Sequence, residues 1–272
     1  MNKTKEVSVG LFDAIVHHDK PPLNWLGGGY YFTMTMVLMQ FGHFVLLNHY
    51  GVVGYFIYML LVAIFITLDG FVSTSMGKNI VNLRLNGYSD KFILFTMVFN
   101  CLGSQALTLL IIHFIGNPQA MHDLLLLSTY STPMIMAVAA NLIATEVLFF
   151  AAHKFLHEHW PSIHIMHHCC MNPSHSTNLI FHPIDLAIEF AGPGSIILLN
   201  HYTIWQQNLH VLLLSYMIMQ IYYAIDHSEW LRTYHFKHHS QLNAVYTIYA
   251  NYRSTPQLDK LRSLVIKPSK NT

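Results

Sequence analysis

Histidines are concentrated in one part of this sequence, at spacings that bring their side chains together. Of the 20 histidines, 14 lie in residues 153–239. His153 and His157 are four residues apart, so on a helix both project from one face. Two triplets share the pattern HxxHH, whose i, i+3, i+4 spacing also favours one helical face: His164, His167, His168 and His235, His238, His239. Packing alone gives no reason to repeat this spacing, so the pattern predicts metal ligands.

Two single histidines, His182 in FHPID and His227 in DHSEW, bring the candidate ligands to ten. Imidazole binds zinc, copper, iron and nickel, so the ligand type alone leaves the metal open. Ten ligands exceed what one ion accepts, which predicts two ions. The chain has three cysteines and no Cys-X-X-Cys motif, which argues against a structural zinc site. A pair of ions is suited to binding O2 and oxidising a C–H bond.

The composition places these histidines in a membrane protein. The chain is 53% hydrophobic and only 10% charged, whereas soluble domains carry about 25% charged residues. Four apolar stretches are expected to span a bilayer, which takes roughly 20 residues each: 30–48, 52–68, 92–116 and 133–152. Two more stretches, 186–199 and 203–224, are expected to form a helical hairpin. The net charge of +1 and the lack of a basic block argue against nucleic acid as a partner.

The basic residues predict the orientation of the chain. Lysine and arginine occur in alternate loops, and residues 117–132 contain neither. The positive-inside rule therefore places both termini and the histidine-dense segments in the cytosol. The expected fold is all-α, a polytopic membrane helix bundle with about four long spans, a helical hairpin and a cytosolic histidine-rich metal-binding cap.

We expect residues 1–272 to form a single integral-membrane domain. Its expected parts are a cytosolic N-terminal segment (1–29), transmembrane helices (30–152) and a histidine-rich catalytic region that includes the membrane hairpin (153–272).

The order HxxxH, HxxHH, FHPID, HS and HxxHH resembles the fatty acid hydroxylase/sterol desaturase superfamily of integral-membrane di-iron enzymes. The resemblance runs from about Glu146 to Leu261 and includes LDKL, Leu258 to Leu261, where the superfamily has W-D-x-L. It implies an oxidoreductase that uses O2 to hydroxylate or desaturate a sterol-like or fatty acyl lipid. It also implies that the ten histidines hold two iron ions, which zinc can replace in a purified protein.

Two acidic residues are expected to act beside these ligands. Glu146 precedes His153 by seven residues, where the superfamily commonly has an acid, and two helical turns place both on one face. A carboxylate inside an apolar span is costly, so we predict that Glu146 orients a ligand imidazole by hydrogen bonding; an interhelical polar contact is the alternative. Asp185, which follows His182-Pro183, is given the same role, with a helix N-cap or first-turn acid as the alternative.

The resemblance further implies an external electron donor, because the sequence has no recognisable haem, flavin or nucleotide motif. A cytochrome b5-type protein or a ferredoxin with its reductase would serve, in the endoplasmic reticulum of a eukaryote or the inner membrane of a bacterium. Only seven residues separate His227 from His235, fewer than is usual in the superfamily. Two alternatives stay open: a non-enzymatic membrane metal-binding protein or transporter, and a superfamily member that has lost its activity.

Overall fold

The computed structural model describes residues 12–16, 29–73, 75–115, 118–227 and 234–240. Over these residues the chain forms helices and turns and no β-strand. The all-α prediction is therefore confirmed for this part of the chain. The single-domain division stays a prediction.

The helices are given in the order in which they occur along the described residues. The first half of the chain contains α1 (Asp13–Val16), α2 (Gly29–Val72), α3 (Met76–Leu85), α4 (Asp90–Ile115) and α5 (Pro118–Leu125). A 3-10 turn, Leu127–Thr129, leads to α6 (Thr132–His159) and α7 (Pro161–His168). The second half contains a 3-10 turn (His175–Leu179), α8 (Pro183–Leu186), a π-helical turn (Ala187–Ala191), α9 (Gly192–Thr203), α10 (Leu209–Ile225) and α11 (Tyr234–Ser240).

Helix α2 is two helical arms joined at a kink. Gly51 has φ of +53° there, a left-handed value that glycine adopts without the steric cost of a Cβ. The two arms correspond to the apolar stretches expected at 30–48 and 52–68. The kink explains why the sequence shows two separate apolar stretches along α2.

Two helices in the described ranges are long and apolar enough to cross a membrane: Tyr50–Phe71 and Thr132–His159. Leu209–Ile225 is apolar but shorter. The other expected spans, the side of the membrane and the cytosolic cap stay predictions. The expected hairpin has shifted bounds, because residues 186–191 belong to α8 and the π-helical turn rather than to a first apolar arm.

The helices that carry the histidines pack against helices of both halves of the chain. Helix α6 packs against α9 and α10. Beneath α7, Met166 and Cys170 belong to a buried cluster with Ile80 and Leu83 of α3 and Ile93 of α4. Burial of these side chains fixes the rotation of α7 about its axis, so that its histidines point into the protein.

Buried hydrogen bonds hold the segment that follows α7. The Asn100 side chain on α4 donates to the carbonyls of Leu179 and Phe181, both at 2.9 Å. The Asp69 carboxylate at the end of α2 accepts from the backbone N–H of Ser176 at 2.8 Å and from its hydroxyl. These bonds satisfy polar groups that burial would otherwise leave unpaired, and they fix Phe181 beside the histidines.

Candidate metal centre

Eight of the ten predicted ligands form two compact groups. The first histidine group is His153, His157, His164 and His168, and the second histidine group is His167, His227, His235 and His239. In each group the candidate ligand atoms all lie within 4.8 Å of one another. Each group could hold one metal ion, so the prediction of a metal centre agrees with the structure, while the identity of the metal stays a prediction.

The first histidine group converges on one point. Nε2 of His157 lies 3.2 Å from Nε2 of His153 and 3.0 Å from those of His168 and His238. His168 Nε2 is also 2.9 Å from His164 Nε2. A neutral imidazole carries one N–H, so His157 cannot satisfy three such contacts by hydrogen bonding. His238 therefore belongs with the first histidine group as a fifth imidazole.

These spacings fit the edges of a coordination polyhedron. Nitrogen ligands about 2.0–2.1 Å from an ion are separated by about 3.0 Å at right angles and about 3.4 Å in a tetrahedron. The Nε2 atoms that are in contact within this group are 2.9 to 3.2 Å apart. The imidazoles are thus arranged as ligands would be around a shared centre.

The second histidine group has the same form. His227 Nε2 lies 3.2 Å from His167 Nε2 and 2.9 Å from His239 Nε2, and the His235 ring is centred 4.7 Å from that of His227. The Phe181 ring stacks on His167 with centroids 3.9 Å apart. The hydrogen bonds from Asn100 therefore also fix the orientation of a predicted ligand.

Each HxxHH triplet is divided between the two groups, which the sequence analysis did not foresee. In α7, His164 and His168 face the first histidine group while His167 faces the second. In α11, His235 and His239 belong to the second histidine group, and His238 contacts the first. The i+3 residue lies off the i, i+4 line because a helix turns 100° per residue. Each triplet thus contributes to both sites.

The break between α6 and α7 follows from the local sequence. Helix α6 ends at His159, and Pro161 occupies the first turn of α7. A proline disfavours helical backbone at the preceding residue, and Trp160 has φ of −130° and ψ of 49°. The chain therefore bends there, which lets His164 and His168 of the new helix meet His157 of the old one.

Burial keeps the imidazoles in the form that binds metal. The pKa values of His167, His168, His235 and His239 are lowered, mainly by burial and further by the neighbouring imidazoles. These rings are therefore neutral at neutral pH. Only neutral histidine offers a lone pair to a metal.

Two aspartates orient ligand rings. Nδ1 of His164 lies 2.9 Å from Asp185 Oδ2, and Nδ1 of His227 lies 2.5 Å from Asp226 Oδ1. The Nδ1–H donates a hydrogen bond to the carboxylate, which leaves the Nε2 lone pair for a metal. Burial raises the pKa of both carboxyl groups, and the histidine contacts oppose that rise. The contact made by Asp185 is the kind that the sequence analysis expected; Asp226 was overlooked.

Glu189 is a third buried acid that the sequence analysis missed. Its Oε1 lies 3.7 Å from His153 Nε2 and 3.8 Å from His164 Nδ1, and it is only 3% exposed. With His164 and Asp185 it forms a third group of ligand-type atoms. Burial, followed by Asp185 and Asp226, raises its pKa well above the usual value. The sequence does contain a signal for this residue, because Glu189, like Glu146, is an acid within an apolar stretch.

Two predicted site residues lie outside these groups. Glu146 is half-buried on α6, two turns before His153, and is absent from the three groups of ligand atoms in the described ranges. His182 is the N-cap of α8, and its Nδ1 accepts from the backbone N–H of Ile184 at 3.3 Å. This bond caps the first turn of α8. The His182 ring is in neither histidine group.

An apolar cavity of about 140 Å³ adjoins the second histidine group. His227, His235 and Glu189 line it, together with apolar side chains of α2, α4 and α10. Phe149 also lines it, and its ring is centred 5.3 Å from that of His153 and 5.7 Å from that of His235. The predicted ligands thus border a space that suits an apolar molecule.

Comparisons of the chain with protein-family models, with curated proteins and with solved structures find no match. Membership of the superfamily therefore stays a prediction that depends on the histidine motifs.

Proposed function

We propose that this chain is a membrane-bound di-iron oxidoreductase that uses O2 to hydroxylate or desaturate a lipid. The observation that supports this most directly is the pair of buried histidine groups beside an apolar cavity. Neutral nitrogen donors at ligand spacing fit two ions of an imidazole-binding metal. When bound, two irons would supply the redox chemistry by which O2 oxidises an unactivated C–H bond.

The residues around the ions would set geometry and exclude water. Asp185 and Asp226 hold His164 and His227 in the tautomer that presents Nε2. Phe149 is 2% exposed, and its ring at the wall of the cavity lies against His153 and His235. A substrate in the cavity would therefore approach the second histidine group, whose members His227 and His235 line the wall.

Membrane association would deliver an apolar substrate laterally. We propose that Tyr50–Phe71 and Thr132–His159 cross the bilayer and that the histidine groups face the cytosol. There, a cytochrome b5-type protein or a ferredoxin and its reductase would supply electrons. The membrane would be the endoplasmic reticulum in a eukaryote and the inner membrane in a bacterium.

The test begins with the metal content of detergent-purified protein made in iron-supplemented cells. We expect about two irons per chain, and loss of iron in His167→Ala and in His238→Ala. The matched control is His122→Ala, whose side chain is exposed and outside both groups. Products are then sought by mass spectrometry with sterol and fatty acyl lipids.

Little bound metal would contradict the proposal and favour a protein that has lost its activity. Product formation that survives His167→Ala and His238→Ala would show that the active site lies elsewhere. Tight metal binding without a product from any lipid would favour the metal-binding or transport alternative.

A further inference from the structure

Two glutamine side chains with unpaired amide atoms line the apolar cavity beside the second histidine group. Gln105 of α4 and Gln220 of α10 both line it. Gln105 Oε1 and Gln220 Nε2 are buried and have no hydrogen-bond partner in the part of the chain that the structure describes. Gln220 is only 8% exposed. Folded proteins rarely leave such groups unpaired, because each loses its bonds to water on burial.

A hydroxyl group is a ligand that can pair with an amide oxygen and with an amide nitrogen. Its hydrogen can be donated to an amide oxygen, and its oxygen can accept from an amide N–H. Exchanging the oxygen and nitrogen positions of either glutamine still leaves groups that a hydroxyl can pair with. An alkane would leave both amides unpaired, so the cavity discriminates against it.

The described residues of the cavity wall offer no basic side chain to pair with an anionic head group. No lysine or arginine is among the described residues that line the cavity, whereas Glu189 and Asp226 are. His175, which also lines it, has its pKa lowered to about 3 by burial, so its ring is neutral. A carboxylate bound at the two amides would meet no lysine or arginine among the described residues of the wall. An uncharged ligand is therefore favoured.

Gln220 is far enough from His227 that a hydroxyl group bound at Gln220 would lie away from the carbon that reacts. Gln220 and His227 are seven residues apart at the end of α10, where the backbone stays helical through Asp226. A helix rises 1.5 Å per residue, so they are separated by about 10 Å along the axis. An engineered cavity of about 150 Å³ holds benzene, so a cavity of about 140 Å³ takes only one segment of a lipid.

We propose that Gln105 and Gln220 bind the hydroxyl group of an uncharged, otherwise apolar molecule and set which of its carbons reaches the second histidine group. Identifying that molecule as the substrate depends on the proposed function. Binding of the alcohol itself does not.

The test measures the equilibrium binding of radiolabelled dodecanol, dodecane and dodecanoate to full-length protein in lipid nanodiscs. The relevant quantity is the ratio of dodecanol to dodecane affinity in each variant, because the partition of each probe into lipid then cancels between variants. We expect this ratio to fall about tenfold in Gln220→Leu and in Gln105→Leu, which corresponds to the loss of one hydrogen bond. Gln206→Leu, at an exposed glutamine, should leave the ratio unchanged, and dodecanoate should bind more weakly than dodecanol.

Thermal unfolding of the ligand-free variants separates binding from a structural role. Leucine removes an unpaired buried amide, so Gln220→Leu should unfold at the same temperature as the wild type or higher. An unchanged affinity ratio in both leucine variants would overturn the proposal, as would dodecanoate binding as tightly as dodecanol. A marked loss of thermal stability in both variants would show that the amides serve the fold and would also overturn it.

Metal content and products measured on the same samples separate this inference from the proposed function. A normal affinity ratio in protein without bound metal would contradict the proposed function alone. Two irons and a lipid product, with no alcohol preference, would contradict this inference alone.

Discussion

Asp185→Asn should weaken metal binding by the first histidine group and leave the second nearly unchanged. The Asp185 carboxylate accepts a hydrogen bond from His164 Nδ1 at 2.9 Å. Both side chains are at most 1% exposed, so water cannot replace the lost interaction. Asparagine keeps an acceptor oxygen of similar position but removes the charge.

The expected size follows from the hydrogen bond itself. A bond to a charged group contributes about 1.5–3 kcal/mol, and a neutral one roughly half as much. Asp185→Asn should therefore cost about 1–1.5 kcal/mol of metal binding, which is about a tenfold loss of affinity. This lies at the lower end of the 10–100-fold losses typical of residues that orient a ligand. Asp185→Ala removes the acceptor altogether and should approach the upper end.

The assay is a competition titration of purified protein with a chromophoric chelator, with Zn²⁺ as a redox-silent probe ion. The wild type should bind two ions per chain. Asp226→Asn provides the reciprocal variant, because Asp226 contacts His227 of the second histidine group. Each variant should weaken the binding of one of the two ions. Asp123→Asn, at a partly exposed aspartate outside both groups, should weaken neither.

Unchanged affinity for both ions in Asp185→Asn would refute this reasoning. An equal loss of affinity for both ions in either variant would also refute it, because the two groups would then act as one site.

Three further predictions concern stability. EDTA should lower the thermal unfolding temperature, because neutral imidazoles would then face one another without an ion, and added Zn²⁺ should restore it in a fluorimetric scan. Asn100→Leu should cost about 1–3 kcal/mol in SDS-induced unfolding, since the buried carbonyl of Phe181 and the partly buried carbonyl of Leu179 lose their donor; an unaltered unfolding curve would contradict this. Arg84→Met should cost only about 1 kcal/mol, because its two ion pairs with aspartates are partly exposed; a loss above about 3 kcal/mol in the same assay would show that the pairs matter more.

The sequence by itself determined the helical class and most of the candidate ligands. Apolar stretches of helix length, with few charges, leave little alternative to buried or membrane helices. The i, i+4 spacing alone predicted that His153 lies beside His157 and His164 beside His168. Spacing is informative there because it acts within one helix, where the geometry is fixed.

Only the tertiary structure decided how separate segments meet. The bend at Trp160 and the packing of α11 divide each HxxHH triplet between two sites, and no spacing rule predicts an angle between helices. His182 fits the ligand pattern, yet local backbone geometry uses it as a helix cap. Glu189 stands out in the sequence only as an acid within an apolar stretch, but its contact with His153, like that of Asp226 with His227, forms only when folding brings the two side chains together. The cavity, too, exists only where α2, α4 and α10 leave a space beside the second histidine group.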